Sequence, residues 1–293
     1  MIGIMGNKFF AERIISALED NKKAVFLSPS LHDLNFGKKT KNVKLIHYIG
    51  SPTVTLHGVL TLLRLKILGK KIVVHWIGAD SWLATNKTIP KIFSKILKKL
   101  ISKHIAIEKN LSKRIETIGI NNQICPLPVA THFKLQPMPK IKQFLVYLPD
   151  HNEYYWERFN GELIKKIVQE FPLINFIILR NSGKYFDNTN VKCIEWTDDM
   201  ENIYKSVLGM IRITKHDGQP GTIIEALSMG RHYIFSQDFP YCKKAENFNE
   251  LKDAIKEILE NPTLNEEGAK YVNKEYSVKK IANDIQKIYN EII

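Results

Sequence analysis

Two carboxylates in HDGQPGTIIEALSMG, residues 216–230, have the type and spacing to hold a sugar–phosphate ligand. Asp217 precedes the turn Gly218-Gln219-Pro220-Gly221, and Glu225 follows eight residues after Asp217, about one turn into the helix that the segment predicts. Pro220 suits the first turn of a helix, where its missing N–H is not needed. Gly218 and Gly221 let a ligand approach the backbone closely. The free N–H groups at such a helix start favour an anion such as phosphate. Two acids beside a phosphate would repel it unless they accept hydrogen bonds from sugar hydroxyls, which carboxylates do well. The chemistry is therefore that of a sugar–phosphate ligand, with one acid for each sugar. A capped amphipathic helix, with Asp217 as the cap and Glu225 in solvent, is the plainer alternative.

These residues need a strand before them and a helix after them, and the chain supplies such pairs throughout. In the first half, IGIMG, KAVFLS, KLIHYIG, KKIVVHWIG, HIAIE and NQICPLP read as strands. Helical segments separate them: FFAERIISALED, residues 53–68, residues 89–103 and LSKRIETIG. The second half repeats the theme with QFLVYLP, INFIILR, VKCIEW, GMIRIT and HYIFS as strands. WERFNGELIKKIVQEFP, MENIYKSV, PGTIIEALSMG and NELKDAIKEILEN read as helices. Strands alternating with helices imply parallel sheets covered on both faces. The length of 293 residues fits two domains, and the Pro-rich segment 125–140 marks the join. The expected fold class is α/β: two doubly wound domains, 1–132 and 133–293, with a ligand cleft at the C-terminal strand ends. The tail VKKIANDIQKIYNEII has helical periodicity and is a candidate to cross back onto the first domain.

Charge is divided unequally. The chain carries a net charge of +13; residues 1–132 hold 21 Lys+Arg and 7 Asp+Glu, whereas residues 133–293 are close to neutral. A basic first half implies an anionic partner, although lysine is abundant along the whole chain. In KIFSKILKKLISK, residues 91–103, Ile92, Phe93, Ile96, Leu97, Leu100 and Ile101 form one helical stripe. Lys91, Lys95, Lys98, Lys99 and Lys103 take the other face. Either the stripe packs on the sheet with the lysines in water, or the helix lies on an anionic membrane surface. TLLRLKILGKK adds neighbouring basic and apolar material. Its charges break the run of about 20 apolar residues that a spanning helix needs, and no secretory signal is visible at the start. The three cysteines form no CxxC pair, which fits a reducing compartment without structural zinc. The expected location is cytoplasmic, with attachment to the cytoplasmic face of a membrane left open.

HWIGADSW, residues 75–82, places His75, Trp76 and Asp80 near a strand end. His75 could contact a transferred sugar or an acceptor, or sit in the core with its hydrogen bonds satisfied. Asp80 could bind an acceptor hydroxyl or cap a helix starting near Ser81.

The stretch RITKHDGQPGTIIEALSMGRHYIFS, residues 212–236, resembles the E-x7-E region of retaining GT-B glycosyltransferases of the large family four, and HWIGADSW resembles a segment of their N-terminal domain. The resemblance implies that Glu225 binds the nucleotide ribose and that Asp217 contacts the donor sugar, although Asp is one methylene shorter than the family's Glu. It implies that the backbone of Gln219, Pro220, Gly221 and Thr222, beside Gly218, binds the sugar and distal phosphate. It also implies that His75 lies in the active site and that Asn7 and Lys8 belong to an acceptor loop, though the family's glycine pair is absent there. The family's diphosphate-binding Arg and Lys are missing from YLPDHNEYYW. Arg180 and Lys184 are the best substitutes, with Arg212 a weaker one, and solvated surface charge is their plainer alternative. Trp196 and Thr197 are candidates to border the nucleobase, with a core position the alternative for Trp196.

The implied activity is transfer of a sugar from a nucleotide-diphosphate sugar, with retention, to a lipid-linked, glycolipid or glycan acceptor. No cofactor or metal is implied, and no nucleic-acid partner is expected, because no Asp-x-Asp pair and no nucleic-acid motif is evident. A non-catalytic nucleotide-sugar-binding or membrane-associated protein of the same fold, or a GT-B sugar-nucleotide epimerase, are the alternatives.

Overall fold

The computed structural model describes residues 1–18, 24–28, 35–129 and 133–293. The chain divides into two compact units. The first comprises Met1–Val129, Asp217–Gln219 and Tyr276–Ile293; the second comprises Ala130–His216 and Pro220–Glu275. Residues 130–132, against which the domain boundary was expected, lie outside the described residues, as do residues 19–20 at the expected end of the first helix.

The first unit is built on six parallel strands: β1 (Ile2–Gly6), β2 (Ala24–Phe26), β3 (Leu45–Ile49), β4 (Lys71–Trp76), β5 (Lys103–Ala106) and β6 (Gln123–Ile124). Their order across the sheet is β2-β1-β3-β4-β5-β6. Every residue of β3 and the first four of β1 are buried, as expected of parallel strands covered on both faces. The helices are α1 (Lys8–Leu18), α2 (Phe36–Thr40), α3 (Leu56–Ile67), α4 (Ala79–Asn86), α5 (Thr88–Leu97) and α6 (Lys109–Glu116), with 3₁₀ turns at Pro52–Val54 and Lys98–Leu100. The helix read over 53–68 is therefore a 3₁₀ turn followed by α3. Ser51 and Thr55 cap the two pieces by accepting from Thr53 N and Gly58 N.

The second unit contains β7 (Gln143–Tyr147), β8 (Asn175–Leu179), β9 (Val191–Ile194), β10 (Gly209–Arg212), β11 (His232–Phe235) and β12 (Lys243–Lys244). They form a parallel sheet in the order β12-β11-β10-β7-β8-β9. Its helices are α7 (Glu153–Arg158), α8 (Gly161–Glu170), α9 (Met200–Ser206), α10 (Gly221–Ser228), α11 (Phe248–Glu260) and α12 (Glu266–Glu275). WERFNGELIKKIVQEFP reads as one helix but folds as α7 and α8. Asn160 takes a left-handed backbone (φ 50°), and Gly161 passes so close to the Trp156 ring that a Cβ would lie 2.2 Å from it. A side chain there would displace the indole, so the break is tied to a buried tryptophan.

α13 (Val278–Ile292) belongs to the first unit. It buries Ile281, Ala282, Ile285, Ile288 and Tyr289 in the same core as β1, β3 and β4.

Candidate functional site

The second unit carries most of the candidate residues. From β7 the chain steps outward to β8 and β9, then returns to β10 on the other side of β7. β7 and β10 therefore flank the point where strand order reverses, and in open parallel sheets ligands bind outside the carboxyl ends of such strands. Two connections leave there: residues 148–152 after β7 and residues 213–220 after β10.

The first connection is tied to the loop after β8. Asp150 Oδ2 accepts from Ser182 N at 3.0 Å and from Ser182 Oγ at 2.5 Å. Asn181 Nδ2 donates to Leu148 O at 2.8 Å, and Lys184 Nζ donates to Asp150 O at 3.0 Å. A cavity of about 410 Å³ lies over these loops, lined by Asp150, His151, Arg180, Ser182, Lys184, Glu195 and Trp196. The structure thus brings together Arg180, Lys184 and Trp196, three residues expected to hold the donor. Trp196 is 68% exposed, so it is not a core residue. The Arg180 guanidinium lies 5.0 Å from the centre of its ring, a stacked cation beside an open aromatic face. Among the described residues, Arg180 is also one of three non-glycine residues with positive φ, at 63°. That backbone costs about 1 kcal/mol, and here it aims a cation into a cavity. Thr197 is turned to local duty, its Oγ1 accepting from Asp199 N ahead of α9.

The second connection leads into α10. Glu225 stands one turn inside it, and its Oε2 accepts a hydrogen bond from the hydroxyl of Tyr204 on α9 at 2.8 Å. Tyr204 is fully buried, and burial first, then the Glu225 carboxylate, pushes its pKa well above 10, so the phenol remains a donor. Helix α10 starts at Gly221 with Pro220 as its N-cap, one position earlier than the first helical turn expected for the proline. The Thr222 hydroxyl pairs with Tyr233 Oη at 2.9 Å, leaving its backbone at the helix start. Upstream, Thr214 N donates to Ser236 Oγ, and Arg158 donates through Nε and an Nη to His216 O at 3.3 and 3.1 Å. Asp217 Oδ1 accepts from Gly218 N. Gln219 Oε1 is buried without a hydrogen-bond partner, an acceptor left over beside the helix start.

Asp217–Gln219 pack with the first unit. A Cβ on Gly218 would lie 2.7 Å from Ile77 O and 2.8 Å from Ile107 Cδ1. This glycine therefore accommodates a neighbouring protein backbone, whereas it was expected to accommodate a ligand.

Two first-unit expectations are corrected. His75 is fully buried within β4. Its Nε2 contacts Cys125 O at 2.8 Å, and a carbonyl only accepts, so Nε2 carries the proton. Nδ1 of the neutral ring then accepts from His47 Nε2 at 3.2 Å, and His47 Nδ1 accepts from Tyr289 Oη at 2.6 Å. Both ring nitrogens of His75 are thus used inside the core, and neither is presented to a sugar. Burial lowers its pKa to about 4, in keeping with a neutral ring. Asp80 is likewise buried, with its oxygens accepting from the backbone N–H groups of Ser51, Ile77, Gly78 and Ser81. It clamps the ends of β3 and β4, so no acceptor hydroxyl is needed to explain it. Burial raises its pKa, and the four amides oppose that rise.

Asn7 accepts from Phe10 N at the start of α1, and Lys8 makes an exposed i,i+4 ion pair with Glu12 at 3.6 Å. Both have local partners. Of the five lysines expected to face a membrane, Lys98 Nζ donates to Gly119 O and Lys103 Nζ pairs with Glu291. Lys91, Lys95 and Lys99 are exposed.

Tyr204, Arg158, Asp150, His151, Ser182 and Glu195 escaped the sequence reading. Arg158 lies just beyond YLPDHNEYYW, where the missing cation was sought, and proximity to that loop was its available signal. Among the described residues, no three His, Cys, Asp or Glu side chains converge as a metal's ligands would.

No protein-family model and no curated protein sequence matches the chain. Solved structures do. HepE from Anabaena, in complex with UDP-glucose, superposes with a TM-score of 0.75 over 100% of both chains at 12% identity. A putative UDP-N-acetylglucosamine 2-epimerase from Listeria monocytogenes gives 0.61 over 100% of this chain and 97% of its own, at 12% identity, and the UDP complex of MnaA from S. aureus gives 0.60 at 14% identity. TarM gives 0.66 at 12% identity over 84% of this chain, which spans only 54% of TarM's length. The fold is GT-B. The low identities make the likeness one of fold. Both GT-B units are the doubly wound parallel sheets expected from the strand–helix alternation.

Proposed function

We propose that this GT-B chain is a glycosyltransferase that takes a sugar from a nucleotide-diphosphate sugar. One observation carries the reading: Glu225 is held by the buried Tyr204 one turn inside α10, at the carboxyl end of a strand flanking the switch point. A ribose diol offers two hydroxyl donors to such a carboxylate. Support comes from neighbours of the same fold whose structures hold UDP or UDP-glucose.

In this reading the second unit holds the donor and the basic first unit takes the acceptor. Trp196, backed by Arg180, stacks on the base. Lys184 and the amides at the start of α10 stabilise the diphosphate as it leaves, which places preorganised positive charge where negative charge develops. Asp217 contacts the transferred sugar. The sugar is transferred with retention, the leaving phosphate takes the acceptor's proton, and no metal is required. The acceptor is lipid-linked or lies at a membrane surface on the cytoplasmic side.

A thermal-shift screen of nucleotide sugars tests the donor site, because a ligand that binds only the folded state raises its melting temperature. A nucleoside-diphosphate sugar should raise it, and Glu225→Gln should abolish the rise. An unchanged rise in the variant would show that the ligand sits elsewhere. Turnover should survive EDTA; loss of turnover that is restored by Mg²⁺ or Mn²⁺ would overturn the metal-free mechanism.

The likeness to the putative UDP-N-acetylglucosamine 2-epimerase supports a second reading, a sugar-nucleotide epimerase. Incubation of nucleotide sugars without any acceptor separates the two. A new stereoisomer of the nucleotide sugar in the proton spectrum would mark an epimerase.

A further inference from the structure

Charge in this chain is concentrated in one contiguous stretch. Residues 35–107 hold 14 of the 43 Lys+Arg and a single one of the 30 Asp+Glu, so the rest of the chain, with 29 of each, is neutral. The single acid is Asp80, buried and bound by four backbone amides. No carboxylate of this stretch therefore stands among its surface lysines. The net charge of the molecule resides in the α2–α5 region of the first unit.

The same stretch exposes apolar side chains in helical register. α3 packs Val59, Leu62 and Leu65 inward, as its stripe requires. Its opposite face should be polar. Instead it carries Leu56, Leu60, Leu63 and Ile67, at intervals of four, three and four residues, all exposed, with Leu56 at 66% and Ile67 at 86%. α5 repeats the pattern with exposed Ile89, Ile92 and Ile96. The stripe read in its sequence is divided: Phe93 and Leu97 are half-buried, and the isoleucines turn outward. Lys91, Lys95 and Lys99 run alongside at intervals of four. The 3₁₀ turn at Pro52–Val54 lies against both helices, and Thr53 Oγ1 meets Ser94 Oγ of α5 at 2.7 Å.

Isolated exposed leucines need no explanation, but two outward apolar stripes within a lysine-rich stretch whose one acid is buried do. A soluble protein partner with an apolar face would not require the charge, and a nucleic acid would not require the leucines. A bilayer with anionic headgroups satisfies both. We propose that the first unit docks on an anionic lipid bilayer, with the outward leucines and isoleucines of α3 and α5 entering the headgroup layer and the flanking lysines facing lipid phosphates. No helix among the described residues is long and apolar enough to cross a membrane, so the attachment is to one leaflet. None of the residues of this surface is among those proposed to hold the nucleotide sugar.

Co-sedimentation of the full chain with vesicles of phosphatidylcholine alone, or mixed with phosphatidylglycerol, tests the proposal. Binding to the mixed vesicles should be about tenfold or more tighter and should weaken with added salt. Leu60→Ser/Leu63→Ser/Ile67→Ser should lose about tenfold in vesicle affinity, and K91E/K95E/K99E should lose the preference for anionic lipid. Both variants change exposed side chains and should keep the wild-type melting temperature and its response to nucleotide sugar. An environment-sensitive dye on Ile67→Cys should report an apolar setting when anionic vesicles are added. Equal binding to both vesicle types, or none, would overturn the proposal. So would a serine variant that binds vesicles like the wild type, or one that converts a dimer into a monomer, since a second copy would then be what covers the stripe. Displacement from anionic vesicles by RNA but not by salt would assign the lysines to nucleic acid.

Discussion

Glu225 is useful to a ligand only if its carboxylate is aimed, and the buried hydroxyl of Tyr204 aims it. Tyr204→Phe should therefore weaken nucleotide-sugar binding by several-fold, less than Glu225→Gln does. The hydrogen bond itself should cost only about 1 kcal/mol of stability. Calorimetric titration of the two variants checks the order. Trp196→Ala should leave the melting temperature unchanged, because the ring is exposed, and should cost about 1–3 kcal/mol of nucleotide affinity if a base stacks there. Asp217 and Glu225 could be proposed from the sequence because they lie on one short segment, where residue types and spacing alone suggest a chemistry. Tyr204 and Arg158 could not, because each reaches the site from another element through space. His75 and Asp80 were misplaced for a related reason. A polar residue near a strand end reads the same whether its partners are ligand atoms or buried main-chain groups, and here they are the latter.

At the scale of elements, the parallel strands were legible because burial on both faces leaves short runs of apolar residues between helices. The two-residue β12 and the polar α12 gave no such run. The break between α7 and α8 depends on the Trp156 ring over Gly161, which periodicity does not contain. The buried pair His47 and His75, on adjacent strands β3 and β4, makes a prediction about pH. His75 and His104 are lowered to about 4, and His47 is lowered well below its usual 6.5, each first by burial. At these three histidines the folded state therefore binds fewer protons than the unfolded state between about pH 4 and 6.5, whereas Asp80, raised by burial, acts in the opposite sense. Their contribution to stability should be complete above pH 6.5 and should fall as pH drops toward 4, by about 1 kcal/mol per pH unit for each histidine. Urea denaturation at pH 7 and pH 5 measures this. Tyr289→Phe should cost about 1–3 kcal/mol at neutral pH by leaving His47 Nδ1 buried and unpaired.

At the scale of the whole chain, sequence order and structural unit do not coincide. α13 lies at the C-terminal end of the described chain, yet its five buried side chains complete the core of the first unit. At about 1.5–3 kcal/mol for each large apolar side chain buried, their loss would rival the stability of an ordinary domain. A chain truncated after Glu275 should lose the calorimetric transition of the first unit and keep that of the second. The periodicity of the tail was readable, but the sheet it joins was not, because an apolar stripe does not name its partner.

The placement of α13 also orders events during synthesis. A ribosome delivers β1 to β6 first, but the core around them lacks its closing helix until residues 278–292 emerge. The second unit's segments run from Ala130 to Glu275 and are complete before that. Domains made earlier usually fold earlier. Here the later-made unit emerges in full before α13 does, while the β-sheet of the first unit waits, partly uncovered, for its closing helix.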